Sequence, residues 1–96
     1  MIITVEDSQL DCLEDGRILR LMKSDQWKEI PNRPNHRKGY NVIMINKKQY
    51  MRGQLIAHAF LNYDLNDKTR MICYSDQNKL NNSKDNLLVK SKKKVY

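Results

Sequence analysis

The stretch YNVIMINKKQYMRGQLIAHAF, residues 40–60, changes its hydrophobic period halfway along, and that change limits the folds open to this chain. β-Branched and aromatic residues on both sides of Asn46-Lys47-Lys48 predict a hairpin with the two lysines at or near its tip. Leu55, Ile56, Ala59 and Phe60 then recur at i, i+1, i+4 and i+5, which is one apolar face of a short helix. His58 falls off that face and is expected at the surface. A chain of 96 residues buries one modest core. A two-domain enzyme with a deep interdomain cleft is therefore excluded.

The flanking segments extend the pattern. MIITV reads as a short first strand before the polar EDSQ. In EDGRILRLM a turn at Asp15-Gly16 precedes an apolar-basic alternation, with Ile18 and Leu21 inward and Arg17 and Arg20 outward, which predicts another hairpin. Two prolines, two asparagines and a glycine rule out regular structure over Pro31–Gly39, a basic loop. RMICY and NLLVK are short apolar segments separated by a polar run, in which an elaborated loop or a single helical turn begun by Ser83 is expected. The predicted class is α+β, a small single domain over residues 1–96 with two β-hairpins and a short helix. Its expected parts are a hairpin module with the basic loop (1–38), a core (39–90) and a basic tail (91–96).

Charge supplies the first functional signal. The chain has 18 Lys and Arg against 11 Asp and Glu, a net +7, with a mean hydropathy of −0.80 and 40% apolar residues gathered in clusters. Residues 1–16 contain five acids (Glu6, Asp7, Asp11, Glu14, Asp15) and no base, so the remainder carries +12. Such a basic surface favours phosphate-bearing partners, and a solubilising lysine-rich surface is the plainer reading of the same charges. Cys12 and Cys73 form no CxxC or Cys/His pair, which predicts reduced thiols and no zinc knuckle. The N-terminus lacks a basic n-region and a long apolar stretch, and there is no 18-residue apolar run, so an intracellular, cytoplasmic protein without membrane spans is expected. The tail SKKKVY reads as a solvated terminus or a nucleic-acid-contacting arm.

Taken in order, DGRILRL, WKEI, GYNVIMINKKQYMRGQLIAHAF and ICYSDQNKLNNSKDNLLV resemble the small homing-type HNH endonucleases of phages and mobile introns, with the hairpin module that often precedes their nuclease motif. The resemblance runs from about Asp15 to Val89 and implies a ββα-metal motif. Where this chain reads RGQLIAHAF the family reads Val-His-Arg-Leu-Val-Ala, which implies a histidine at Gly53 and an arginine at Gln54. Where it reads ICYSDQNKLNN the family reads Val-Asn-His-Ile-Asp-Gly-Asn-Lys followed by paired asparagines. Tyr74 thus stands on the family's central histidine. Asp76, Asn78, Asn81, Asn82, Asn86 and Leu87 match, and Gln77 replaces a glycine. The family also continues into a helix that supplies a metal ligand, whereas here SKKKVY occupies that place, so the motif is expected to be degenerate and truncated.

Those departures bear on chemistry. Phosphodiester hydrolysis in this family needs a base to activate water and a divalent metal to stabilise charge on the phosphoryl oxygens. A phenol with a pKa near ~10 is a poor substitute for imidazole at neutral pH. A phosphotyrosyl mechanism would need its own acid and charge clamp. No catalytic residue, metal or cofactor is therefore assigned, and Asp76 and Asn82 are residual motif positions whose plainer role is to shape the loop. The expected function is an inactive HNH-like protein that binds DNA or RNA through Arg17, Arg20, Arg33, Arg37, Lys38, Lys47, Lys48 and Arg52. Trp27, Tyr40 and Tyr50 are stacking platforms or core aromatics. The alternatives are a small phage-encoded inhibitor that binds a host protein or sequesters a signalling nucleotide, and a weak metal-dependent nicking enzyme. A homodimer is compatible with so small a core.

Overall fold

The computed structural model describes residues 1–92. Its first half is a four-stranded antiparallel meander of β1 (Ile2–Val5), β2 (Ser8–Cys12), β3 (Ile18–Leu21) and β4 (Trp27–Glu29), paired in that order. The sequence predicts only the first strand and the hairpin that turns at Asp15-Gly16. SQLDC hides a strand because Ser, Gln and Asp have low β-propensity. Its period-2 pattern is nonetheless real, with Leu10 and Cys12 both fully buried.

The second half begins with the hairpin of β5 (Val42–Ile45) and β6 (Lys48–Met51) and passes directly into α1 (Arg52–Phe60). Ile45 pairs with Lys48, leaving Asn46 and Lys47 as a two-residue loop with φ of +50° and +66°. Both left-handed residues match a type I′ turn, whose twist suits the flanking strands. After the loop beyond α1 comes a second hairpin, β7 (Arg70–Tyr74) with β8 (Leu87–Ser91), bridged by a 3-10 turn at Lys84–Asn86. That turn starts after Ser83 as the sequence suggests, but the Ser83 hydroxyl bonds Glu14 O at 3.3 Å instead of capping it.

Among the described residues the architecture is thus a small mixed fold of eight strands in hairpin sheets around one α-helix. The expected pair of hairpins is corrected to a meander plus two hairpins. Leu55, Ile56 and Ala57 of α1 are fully buried and meet Leu10, Cys12 and Ile18 from the meander, Ile43 and Ile45 from β5, and Ile72 and Leu87 from the last hairpin. The helix is therefore enclosed on most of its circumference and joins all three sheets, which positions the polar groups at its N-terminal end.

No helix among the described residues is long and apolar enough to cross a membrane. Both cysteines are free thiols, and burial pushes Cys12 up to about 11. Of the basic tail, residues 93–96 lie outside the described residues.

Candidate nucleic-acid interface and the site around Gly53

Three positions far apart in sequence meet at the start of α1. A Cβ placed on Gly53 would lie 2.5 Å from Tyr74 Oη and 3.3 Å from Asn82 Oδ1. The glycine and the tyrosine are therefore complementary: the hydroxyl occupies the volume into which a side chain at 53 would project. Tyr74 also packs on Tyr40, with ring centroids 5.9 Å apart. Burial, with the neighbouring Tyr40 phenol as a lesser cause, pushes the Tyr74 hydroxyl up to about 12. It stays protonated at neutral pH and supplies no base there.

Asp76 is engaged elsewhere. One carboxylate oxygen accepts from Asn78 N at 2.8 Å and Asn86 Nδ2 at 2.9 Å, the other from Asn81 Nδ2 at 2.8 Å. Those bonds, the Asn81 amide first, hold the carboxyl below its usual range. A divalent metal would require several oxygen ligands. Here the available carboxylate is spent on organising the loop, and the remaining acceptor is Asn82 Oδ1, buried without a partner among the described residues. The residues present do not fit a metal. Gln77 has φ of +63°, the left-handed conformation glycine adopts freely.

The predicted phosphate contacts divide into three groups. Arg52 is a correction: it is 1% exposed, and its guanidinium donates to Asn41 Oδ1 at 2.8 Å, Gly16 O at 3.1 Å and Ile30 O at 2.6 Å. It is a buried tie between the helix and the meander, and burial lowers its pKa. Sequence reading misses this because the arginine opens the helix ahead of the apolar stripe. In the second group the cations are spent on neighbours. Arg17 pairs with Asp15 at 2.9 Å and Glu29 at 3.7 Å, Lys48 with Glu6 at 3.0 Å, and Arg20 bonds Ser8 Oγ at 2.9 Å and Met44 O at 3.2 Å.

The third group is exposed and has no acidic partner among the described residues: Arg33, Arg37 and Lys38 in the basic loop, and Lys47 at the hairpin tip. Although irregular, the loop is pinned. Asn35 exchanges side-chain bonds with Val42, accepting from its N at 2.7 Å and donating to its O at 2.9 Å, and Asn41 Nδ2 donates to Arg33 O at 2.8 Å. Lys79, unmarked in the sequence because it sits among turn-forming asparagines, donates to Lys38 O at 2.7 Å and lies 4.9 Å from the centre of the Tyr40 ring. Of the aromatics, Tyr40 joins this cluster, Tyr50 donates to Glu6 Oε1 at 3.3 Å, and Trp27 is 39% exposed on the edge strand.

Against known proteins, no family model, curated protein or solved structure matches this chain.

Proposed function

We propose that this protein is a catalytically inactive HNH-endonuclease-like module that binds nucleic acid through its basic loop. The observation that carries the reading is the exposed run of Arg33, Arg37 and Lys38, without an acidic partner among the described residues, joined by Lys79, which bonds Lys38 O and lies over the Tyr40 ring. Cations fixed on an ordered backbone meet phosphates with less entropy lost than mobile ones, and an adjacent ring offers a stacking face. Inactivity rests on the neutral Tyr74 hydroxyl seated against Gly53 and on the full engagement of Asp76.

The test joins two assays on the full chain. Fluorescence anisotropy with a labelled duplex and a labelled single strand at 50 mM salt should show binding that Arg33→Glu with Arg37→Glu weakens about tenfold or more. Supercoiled plasmid incubated with magnesium, manganese or zinc should remain uncut. Absence of any binding at 50 mM salt rejects the first half, and metal-dependent nicking rejects the second.

A second reading, an inhibitor that engages a host protein, draws on a different face. Met22 and Met44 are 42% and 52% exposed around a shallow groove floored by Ile30, Val42 and Ile43. Exposed apolar clusters of this kind are a feature of protein interfaces. Pull-down from host lysate, compared between wild type and Met22→Ser with Met44→Ser, separates this reading from the first.

A further inference from the structure

A cleft of about 460 Å³ opens beside the basic loop, between the N-terminal turn of α1, the α1–β7 loop and the paired ends of β7 and β8. Its size falls in the ~300–1,000 Å³ range of small-molecule sites. Two kinds of surface face it. Met51, Leu65, Met71 and Ile72 provide apolar wall. Lys38, Lys68 and Lys92 enter from three separate segments, and none has an acidic partner among the described residues.

The other charges in the lining cancel. Asp67 pairs with Arg70 at 2.8 Å and accepts from Thr69 N at 2.8 Å, so its carboxylate does not offset the lysines. Arg70 in turn lies over the Tyr63 ring at 5.7 Å, which fixes that wall. Gln54, also in the lining, accepts from Met51 N at 3.1 Å through its Oε1, and its amide NH2 has no partner among the described residues. An apolar slot, a spare amide donor and three uncompensated ammonium groups match an amphiphilic anion with a flat apolar part and a multiply charged head. A lone phosphate makes no use of the apolar wall, and a monocarboxylate leaves two cations unpaired.

We propose that this cleft binds a single nucleotide unit, its ring against Met51, Leu65 and Ile72 and its phosphate among Lys38, Lys68 and Lys92. The site goes beyond polymer binding by the loop: it shares Lys38 and Tyr40 with that surface, while Lys68, Lys92 and the apolar wall belong to the cleft alone. The nucleotide is either free or the terminal unit of a single strand, and the two sources share the same chemistry.

Amide chemical shifts of the isotopically labelled full chain, at low salt, read the site directly. The titrants are adenosine and guanosine 5′-monophosphates, the matching nucleosides, inorganic phosphate and a short single-stranded oligonucleotide. Nucleotides should move the amides of Lys38, Gln54, Leu65, Lys68, Met71 and Lys92, while nucleosides and phosphate bind at least tenfold more weakly. Movement of the same amides by the oligonucleotide alone assigns the site to strand ends. Lys68→Glu with Lys92→Glu, both exposed positions, should weaken the response at least tenfold and leave duplex binding by the basic loop in place. Equal response to inorganic phosphate, shifts confined to residues 33–37 or to the 46–48 tip, or an unchanged affinity in the double variant overturns the proposal. Nucleotide shifts without any duplex binding would remove the loop reading and leave the cleft standing.

Discussion

At the scale of single residues, Gly53 and Tyr74 form a steric pair, since an added methyl at 53 would meet the phenolic oxygen at 2.5 Å. Gly53→Ala should lower stability by ~1–2 kcal/mol, the lower part of the usual range for overpacking a filled site. In a Tyr74→Phe background the closest remaining contact on that ring is Cζ at 3.3 Å, and much of the penalty should vanish. A double-mutant cycle by urea denaturation would show coupling of ~1 kcal/mol, and additive effects would reject the pairing. The same geometry explains why Tyr74→His alone should leave plasmid uncut: an imidazole there still finds no carboxylate, because Asp76 serves Asn78, Asn81 and Asn86. Gln77 offers the opposite sign. Its φ of +63° is strained for a side chain with a Cβ. Gln77→Gly should therefore raise stability by ~0.5–1 kcal/mol, the relief of a left-handed residue less the entropy glycine loses on folding. The position is not legible in the sequence, since nothing local to SDQN demands a left-handed residue at Gln77.

At the scale of elements, the two loops that shape the C-terminal half are each held by one aspartate. The bonds from Thr69, then the Arg70 guanidinium, bring Asp67 down to about 2, and Asp76 is lowered by its asparagine ring. Both folded pKa values lie below the unfolded one near ~3.9, so their stabilisation is present above that value and is lost as pH falls through the folded one. For Asp67 the window is about pH 4 to 2. Amide signals of Thr69 and Asn78 should lose their folded positions across that acid range, and Asp67→Asn should flatten the transition at Thr69. Signals unaltered down to pH 2 would contradict it. These loops mark where the sequence stops being legible. The β5–β6 hairpin, the helix face of Leu55, Ile56 and Ala59 and the irregular Pro31–Gly39 segment can be read from it because periodicity or proline fixes them locally. Strands β2 and β4 cannot, because each is secured by its neighbour's register: Leu10 faces Arg20, and Leu21 faces Trp27. The burial of Arg52 is likewise hidden, since its acceptors Asn41, Gly16 and Ile30 come from three other segments.

At the scale of the whole molecule, the cations expected to meet a polymer lie at two ends of the β5–β6 hairpin, and the division decides how binding should respond to salt and mutation. The base carries Arg33, Arg37, Lys38 and Lys79, while at the tip Lys48 is tied to Glu6 at 3.0 Å and Lys47 alone remains. The acidic first segment thus offsets one end and leaves the other unopposed. With about three to four phosphate contacts at the base, duplex affinity should fall ~40- to 150-fold between 50 and 200 mM salt, at a log-log slope of ~0.9 per contact. Arg33→Glu with Arg37→Glu should remove about two contacts and flatten that slope by nearly ~2. Lys47→Gly provides the control, because glycine suits the left-handed turn position with φ of +66° and keeps the hairpin while deleting the tip charge. Its affinity should stay within about twofold and its slope within ~1 of wild type, the loss of at most one contact. A surface that only confers solubility predicts no such contrast between the base and the tip. If Lys47→Gly flattens the slope as much as the loop double variant does, the charges act without a defined interface, and the basic loop loses its special place.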